Sequence, residues 1–376
     1  MAAQLASGAA PKGINVAIIG VGLVGSAVIS QLAALPILNI ISLQNSRKIL
    51  LSPSSAALKD WKSSLDGSTD SVPALPELVA TLQKLTRETG RHTAVVDNTS
   101  NDSVASFYPE FLKAGFSVVT PNKKGVSGSL ELYTQILKLT NPAQAGAPLF
   151  YGESTVGAGL PILGTLKDLV STGDEVIKIE GVLSGTLSYI FNEFSTPAGA
   201  TVKFSEVVKV AKDNGYTEPH PDADLSGSDV SRKLTILSRL IPSLVNLLPQ
   251  GFESVPTSSL TPEGLKEEQD GEVYTQRLKE FDGEFDALRS KAASEGKVLR
   301  YVGTIDVAKK EIKASLESYP ATHPFATSLS GSDNIIAFHT KRYSARPLLV
   351  QGAGAGADVT ASGVTADLLR VAERRG

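Results

Sequence analysis

An α/β chain, with a parallel sheet in its first part and a separate α+β region after it, is the fold these 376 residues predict. Three observations carry that expectation. The run Ile14–Ile19, INVAII, is apolar throughout and rich in β-branched residues, as a strand buried on both faces requires. Strand-like and helix-like runs then alternate as far as Tyr151 and give way to hairpin spacing beyond it. A composition of 41% hydrophobic and 20% charged residues suits a globular chain of two domains.

Composition also excludes classes. A net charge of −3, with no basic run, argues against nucleic acid as the main partner. The absence of cysteine removes disulfides, thiolate nucleophiles and cysteine zinc sites, and fits a reducing compartment. Residues 1–13 lack the apolar core of a secretory signal, and no apolar run approaches membrane-spanning length. A cytoplasmic protein with no membrane contact is expected.

The first strand runs into Gly20-Val21-Gly22-Leu23-Val24-Gly25 and a helix-like SAVISQLAAL. Strand, glycine-rich turn and helix in that order are the context of the dinucleotide fingerprint, so residues 1–150 read as a Rossmann-type domain. The next strand, near 39–43, lacks the acid that would hold an NAD ribose. Arg47 and Lys48 there either meet a 2′-phosphate or form a solvated turn, so the cofactor is NADP or NAD. Residues 52–70 read as irregular and 76–89 as a surface helix. Strands near 94–96 and 116–120 end in Asn98-Thr99 and Asn122-Lys123. Ligands collect at such strand ends, which makes Asn98, Thr99 and Lys123 candidates for the cofactor crevice.

Beyond Tyr151, residues 152–161 set three glycines and a proline around Glu153. This is either a cation site built from a carboxylate and carbonyls or a hinge between domains. Strands are expected near 176–182, 298–308, 311–316, 335–339 and 348–351, forming an antiparallel or mixed sheet. Residues 254–296 read as a solvated helical pair or an insertion. The GAGAGA at 352–357 reads as a close backbone approach returning residues 345–376 to the first domain, which leaves 151–344 as the second.

The chain's densest polar cluster lies at 211–233, AKDNGYTEPHPDADLSGSDVSRK. At about 100° per residue, a helix begun after Ser228 puts Lys233 on the same side as Val230, Leu234 and Leu237, with Asp229 one turn earlier. Ser231, Arg232, Thr235, Ser238 and Arg239 fall opposite, on the side expected to meet water. Inward charges need partners, so Lys233 and Asp229 either form a structural ion pair or line a polar cavity. His220, Asp222 and Asp224 could also be read as a metal cluster, although the Pro-rich turn disfavours it. No Ser-His-Asp arrangement or phosphate loop is legible. An inward lysine beside a dinucleotide domain suits hydride transfer to a small carbonyl, with carboxylates holding an amino group.

Gly215-Tyr216-Thr217-Glu218-Pro219, Pro221, Asp224-Leu225, Gly227, Asp229 and Lys233 resemble the homoserine dehydrogenase signature. GVGLVG, DNTSN, TPNKKG, ESTVGAGLPI, SGTLSYIFNEFS and QGAGAGADVTASGV extend the likeness over nearly the whole chain, in the short fungal form without fused kinase or regulatory domains. The resemblance implies NAD(P)-dependent interconversion of L-homoserine and L-aspartate 4-semialdehyde, in threonine and methionine synthesis, by a homodimer whose second domain is also the dimerisation domain. It makes Lys233 the proton-transfer residue, with Lys123 as a second catalytic lysine in the cofactor crevice. Gly215, Glu218 and Asp229 become substrate ligands, and Gly20, Gly22, Leu23, Val24, Gly25, Asn98, Thr99 and Gly356 cofactor contacts. Glu153 and the carbonyls of Val156, Ala158 and Leu160 become a sodium or potassium site. The chain departs from the pattern at His220 and Ala223, where acids are usual. Another amino-acid dehydrogenase of similar build, and a nucleotide-sensing protein without catalysis, stand as alternatives.

Overall fold

The computed structural model describes residues 13–52 and 54–376, so the targeting-signal reading of residues 1–12 lies outside the described residues. The chain divides into two compact units, one running to Gly159 and taking in Gly356–Gly376, the other Leu160–Ala355. Among the described residues, no helix is long and apolar enough to cross a membrane.

The first unit is built on β1 (Ile14–Ile19), β2 (Leu38–Gln44), β3 (Ile49–Leu51), β4 (Thr93–Asp97), β5 (Ser117–Val119) and β6 (Phe150–Tyr151). Their order is β3-β2-β1-β4-β5-β6, with β3 an antiparallel edge on an otherwise parallel sheet. Alternation along β1 explains its unbroken apolar run. Ile14, Val16 and Ile18 pack with the helix Leu23–Leu32 and the terminal helix Ala357–Arg375. Ala17 and Ile19 pack with the helices Leu75–Thr89 and Tyr108–Lys113. Each face is covered, so each side chain must be apolar. The 52–70 stretch differs from the irregular reading and holds two short helices, Ser55–Lys59 and Trp61–Asp66. Serine competes with helical backbone in a helix interior but favours its start, and here the Ser54 hydroxyl accepts from the Ala57 amide at 3.1 Å.

In the second unit, β7 (Val176–Val182), β8 (Lys297–Asp306), β9 (Glu311–Pro320), β10 (Asp333–Thr340) and β11 (Leu348–Ala353) form one sheet, β11-β10-β7-β8-β9. All four pairings are antiparallel, which resolves the two alternatives; the mixed sheet is the first one. The helix Ser228–Ser238 lies on this sheet so closely that a Cβ at Gly303 would sit 2.9 Å from Leu234 Cδ2 and 3.0 Å from Val230 Cγ1.

That helix is less amphipathic than its phase suggests. Ser231, Thr235, Ser238 and Arg239 are buried along with the apolar face. Its far side is covered as well: the Arg232 guanidinium lies 3.5 Å from the Phe252 ring centroid, and Ser231 hydrogen-bonds Thr257 at 2.6 Å. Small hydroxyls survive burial there because Thr235 donates to the Ser231 carbonyl and Ser238 to that of Thr235. The 254–296 segment is likewise not a solvated insertion. Phe285 of its helix Asp282–Ser294 stacks on Phe204 at 3.7 Å, and Tyr274 is fully buried.

Candidate functional site

Two clusters of candidate residues form, one in each unit. In the first, β1 ends at Gly20, whose φ of +89° and a would-be Cβ 2.7 Å from Thr99 Cγ2 exclude any other residue. A Cβ at Gly25 would lie 2.1 Å from the Gly20 carbonyl oxygen. Gly22 has no such reason in the protein itself. Its φ is −68°, and a Cβ there would meet nothing within 4 Å. Gly22 caps the helix Leu23–Leu32 with no side-chain hydrogen bond and no acid in the first turn, leaving the first amides, from exposed Leu23 and half-buried Val24 onward, for an anion.

Beside it, the Asn98 amide is buried with neither its oxygen nor its nitrogen hydrogen-bonded, an unmet demand a ligand can satisfy. Thr99 is fixed by Asp97, whose Oδ1 accepts from the Thr99 amide at 2.9 Å and hydroxyl at 2.7 Å. Asp97 Oδ2 accepts from Tyr108 at 2.6 Å and from Asn122 Nδ2 at 3.0 Å, so one carboxylate ties the end of β4 to the turn that carries half-buried Lys123. Burial, then the Asp97 charge, holds the Tyr108 hydroxyl well above its ordinary pKa, and it remains a donor. Sequence reasoning gave Asp97 no role because an acid ending a buried strand reads as ordinary. Asp97→Asn turns an acceptor into a donor facing donors; melting should show about 2 kcal/mol lost, with weaker binding of the expected dinucleotide.

Of the two candidate cations after β2, the Lys48 ammonium is spent on the Asp66 carbonyl, while Arg47 is exposed. Gly356, φ +109°, caps the terminal helix, whose start is held to the first helix by Gln31, which donates to the Asp358 carbonyl at 3.0 Å.

Glu153 is buried, and its amide donates to Asp367 at 2.9 Å. Gly157 and Ala158 are both left-handed, φ +76° and +55°, and a strained alanine is a mark of function. The donors there, a carboxylate and carbonyls, are hard oxygens. Arg370 stands 3.5 Å from Glu153 Oε2, and among the described residues no group of three acids or histidines could hold a metal ion, so what this turn offers a cation is one carboxylate with backbone carbonyls. Leu160 falls in the second unit, its carbonyl accepting from the Ile162 amide at 2.8 Å.

In the second unit, Lys233 is 6% exposed and stands on the apolar face, as its helical phase predicts. Its ammonium is 2.7 Å from Asp229 Oδ2 and 2.5 Å from the Leu183 carbonyl at the end of β7. Leu183 also accepts from Asn334 Nδ2 at 3.1 Å. The Asp229 side chain is 41% exposed, so the ion pair is open on one side. Gly215, exposed with φ +71°, ends the helix Phe204–Asp213 and starts the acidic loop. Glu218 is exposed and its amide donates to Asp224 Oδ2 at 2.8 Å. Burial raises the Asp224 carboxyl above its ordinary range, opposed by the Glu218 amide and Thr186 hydroxyl and reinforced by the charges of Glu218 and Asp229. Asp224 therefore holds the backbone of Glu218, an acid assigned to substrate, a role the sequence motif contained but did not single out. His220, Asp222 and Asp224 point to different partners and make no common metal site. An ammonium with a half-open carboxylate beside it can exchange a proton with a small substrate while the carboxylate meets that substrate's amino group.

Known proteins bear on these clusters. A model described as homoserine dehydrogenase matches residues 161–369, and one described as its NAD-binding domain matches 20–147. The chain is 49% identical over 374 residues to the homoserine dehydrogenase of Emericella nidulans, covering 96% of this chain and 99% of that one. For the Saccharomyces cerevisiae enzyme the identity is 44%, over 96% and 99%. A solved Candida auris protein of unknown function is similar at 45% identity with a TM-score of 0.88, over 96% and 99%. A hyperthermophilic archaeal homoserine dehydrogenase in complex with NADPH shares the fold at 22% identity and a TM-score of 0.67, over 97% and 99%.

Proposed function

The chain belongs to the homoserine dehydrogenase family and is an NAD(P)-dependent oxidoreductase acting on the CH–OH group of homoserine, and we propose that Lys233 moves the proton in that reaction. The observation that supports this most is the buried Lys233 ammonium beside the half-open Asp229 carboxylate. In the reducing direction, Lys233 Nζ gives a proton to the aldehyde oxygen of L-aspartate 4-semialdehyde as it becomes an alkoxide; in the oxidising direction it takes the proton back. Asp229 and the Leu183 carbonyl aim that ammonium. Glu218 and Asp229 hold the substrate's amino group, with Gly215 at the loop's start. The nicotinamide supplies the hydride when bound.

Gly20, Gly22, Leu23, Val24, Gly25, Asn98, Thr99 and Gly356 hold that cofactor, with Lys123 the second lysine of the chemistry. Glu153 with the carbonyls of Val156, Ala158 and Leu160 takes sodium or potassium. The chain works as a homodimer in the cytoplasm, in threonine and methionine synthesis.

Purified protein should oxidise L-homoserine with NADP or NAD, followed by nicotinamide absorbance, and ignore other amino alcohols. Absence of homoserine turnover sinks the reading. Replacing sodium and potassium by a large organic cation tests the ion site through kcat. Gly22→Ala should melt as wild type, since its backbone suits alanine, yet bind NADPH about tenfold more weakly by fluorescence titration, because the methyl enters the space left for the phosphates.

A further inference from the structure

We propose that His220 is a positioning residue for substrate binding, clamping the acidic loop to the 257–275 segment. This rests on the assignment of Glu218 to the substrate. The loop from Gly215 to Leu225 has little internal structure beyond the single turn Asp222–Leu225. It is held from outside, by Thr186 and Tyr189 at Tyr216 on one side and by the 257–275 segment on another flank. His220 Nδ1 accepts from the Asp222 amide at 3.2 Å, while Nε2 lies 3.1 Å from the Glu268 carbonyl. An amide donor on one side and a carbonyl acceptor on the other suit one form of the ring, neutral with hydrogen on Nε2. The ring edge also packs on buried Tyr274 at 5.0 Å between centroids.

Other contacts fasten the same flank. Thr261 donates to Asp222 Oδ1 at 2.5 Å and accepts from the Tyr274 hydroxyl at 3.2 Å. The Leu260 amide donates to the Leu225 carbonyl at 2.8 Å. A Cβ at Gly271 would come 2.8 Å from the Pro219 carbonyl oxygen, so segment and loop are in van der Waals contact. Two residues to either side of this clamp stand Glu218 and Asp222, and four beyond it Asp224, whose carboxylate holds the Glu218 amide. A shift of the flank therefore moves the acid that meets the substrate. Histidine, unlike a carboxylate, can donate to the Glu268 carbonyl.

Three variants test this in the full-length protein, with homoserine oxidation as the readout. His220→Asn keeps an acceptor for the Asp222 amide but is too short for Glu268. His220→Gln reaches Glu268 with a donor. Gly271→Ala pushes segment from loop without touching the histidine. His220→Asn and Gly271→Ala should each raise KM for homoserine about tenfold, with kcat and NADPH affinity near wild type, while His220→Gln stays near the wild-type KM. An unchanged KM in Gly271→Ala, or equal KM rises in His220→Asn and His220→Gln, overturns the clamp. Glu218→Gln in the same assay guards the premise: if its KM is unchanged, the loop's role in substrate binding fails instead.

Discussion

Lys233→Ala is expected to lower kcat by about 10²–10⁴-fold while the protein still folds and binds its nicotinamide cofactor. The structure explains why chemistry and stability should separate here. The Leu183 carbonyl keeps its bond from Asn334 Nδ2 when the lysine is gone, and Asp229, with its side chain 41% exposed, can return to water. The loss in stability should therefore stay near the worth of one hydrogen bond, about 1 kcal/mol. A purely structural ion pair predicts the reverse, a loss of about 3–5 kcal/mol with no activity at stake. Chemical denaturation and steady-state kinetics on the same preparation decide between them. Retained turnover would end the case for Lys233 as the proton-transfer residue.

The largest effect on stability is expected at Arg300, on β8. Arg300 is 2% exposed, and its guanidinium donates to four carbonyls: Phe325 at 2.8 Å, Phe191 at 3.1 Å, Ser195 at 2.9 Å and Leu299 at 2.7 Å. Phe191 lies in the last turn of the helix Gly185–Phe194, its carbonyl also accepting from the Ser195 amide at 3.1 Å, and Ser195 caps that helix, where the dipole favours a cation. Burial draws the Arg300 pKa down to about 10, which still leaves it charged at neutral pH. Arg300→Met keeps much of the volume but removes this donor from all four oxygens, of which the Phe191 carbonyl keeps the Ser195 amide. A loss of about 3–5 kcal/mol should follow in urea denaturation, since each stranded group costs about 1–3 kcal/mol and partial rearrangement recovers some. An unchanged midpoint would mean that water or backbone replaces the guanidinium.

The 254–296 segment and the Lys233 helix show what local pattern leaves out. Residues 254–296 are charged and helix-prone, which describes a solvated surface equally well. Packing of Phe285 on Phe204 and of Tyr274 against His220, with hydrogen bonds such as that of Thr261 to Asp222, makes the segment part of the unit. In the Lys233 helix, phase identified the inward lysine but assigned the serines, Thr235 and Arg239 to water. It knows one buried face, and here a second is covered by Phe252 and Thr257.

By itself the sequence determined the elements whose cause is local. The β1 run, the glycines at 20, 22 and 25, the hairpin of β8 and β9 and the inward phase of Lys233 and Asp229 follow from periodicity and from glycine's missing side chain. Tertiary structure alone decided which polar groups meet. That Lys233 is aimed by the Leu183 carbonyl fifty residues earlier, that Asp97 joins two strand ends, and that His220 leans on Glu268 are long-range pairings. Hydrogen bonds are short-ranged and directional, and whether two distant groups satisfy each other depends on where the sheets bring their backbones.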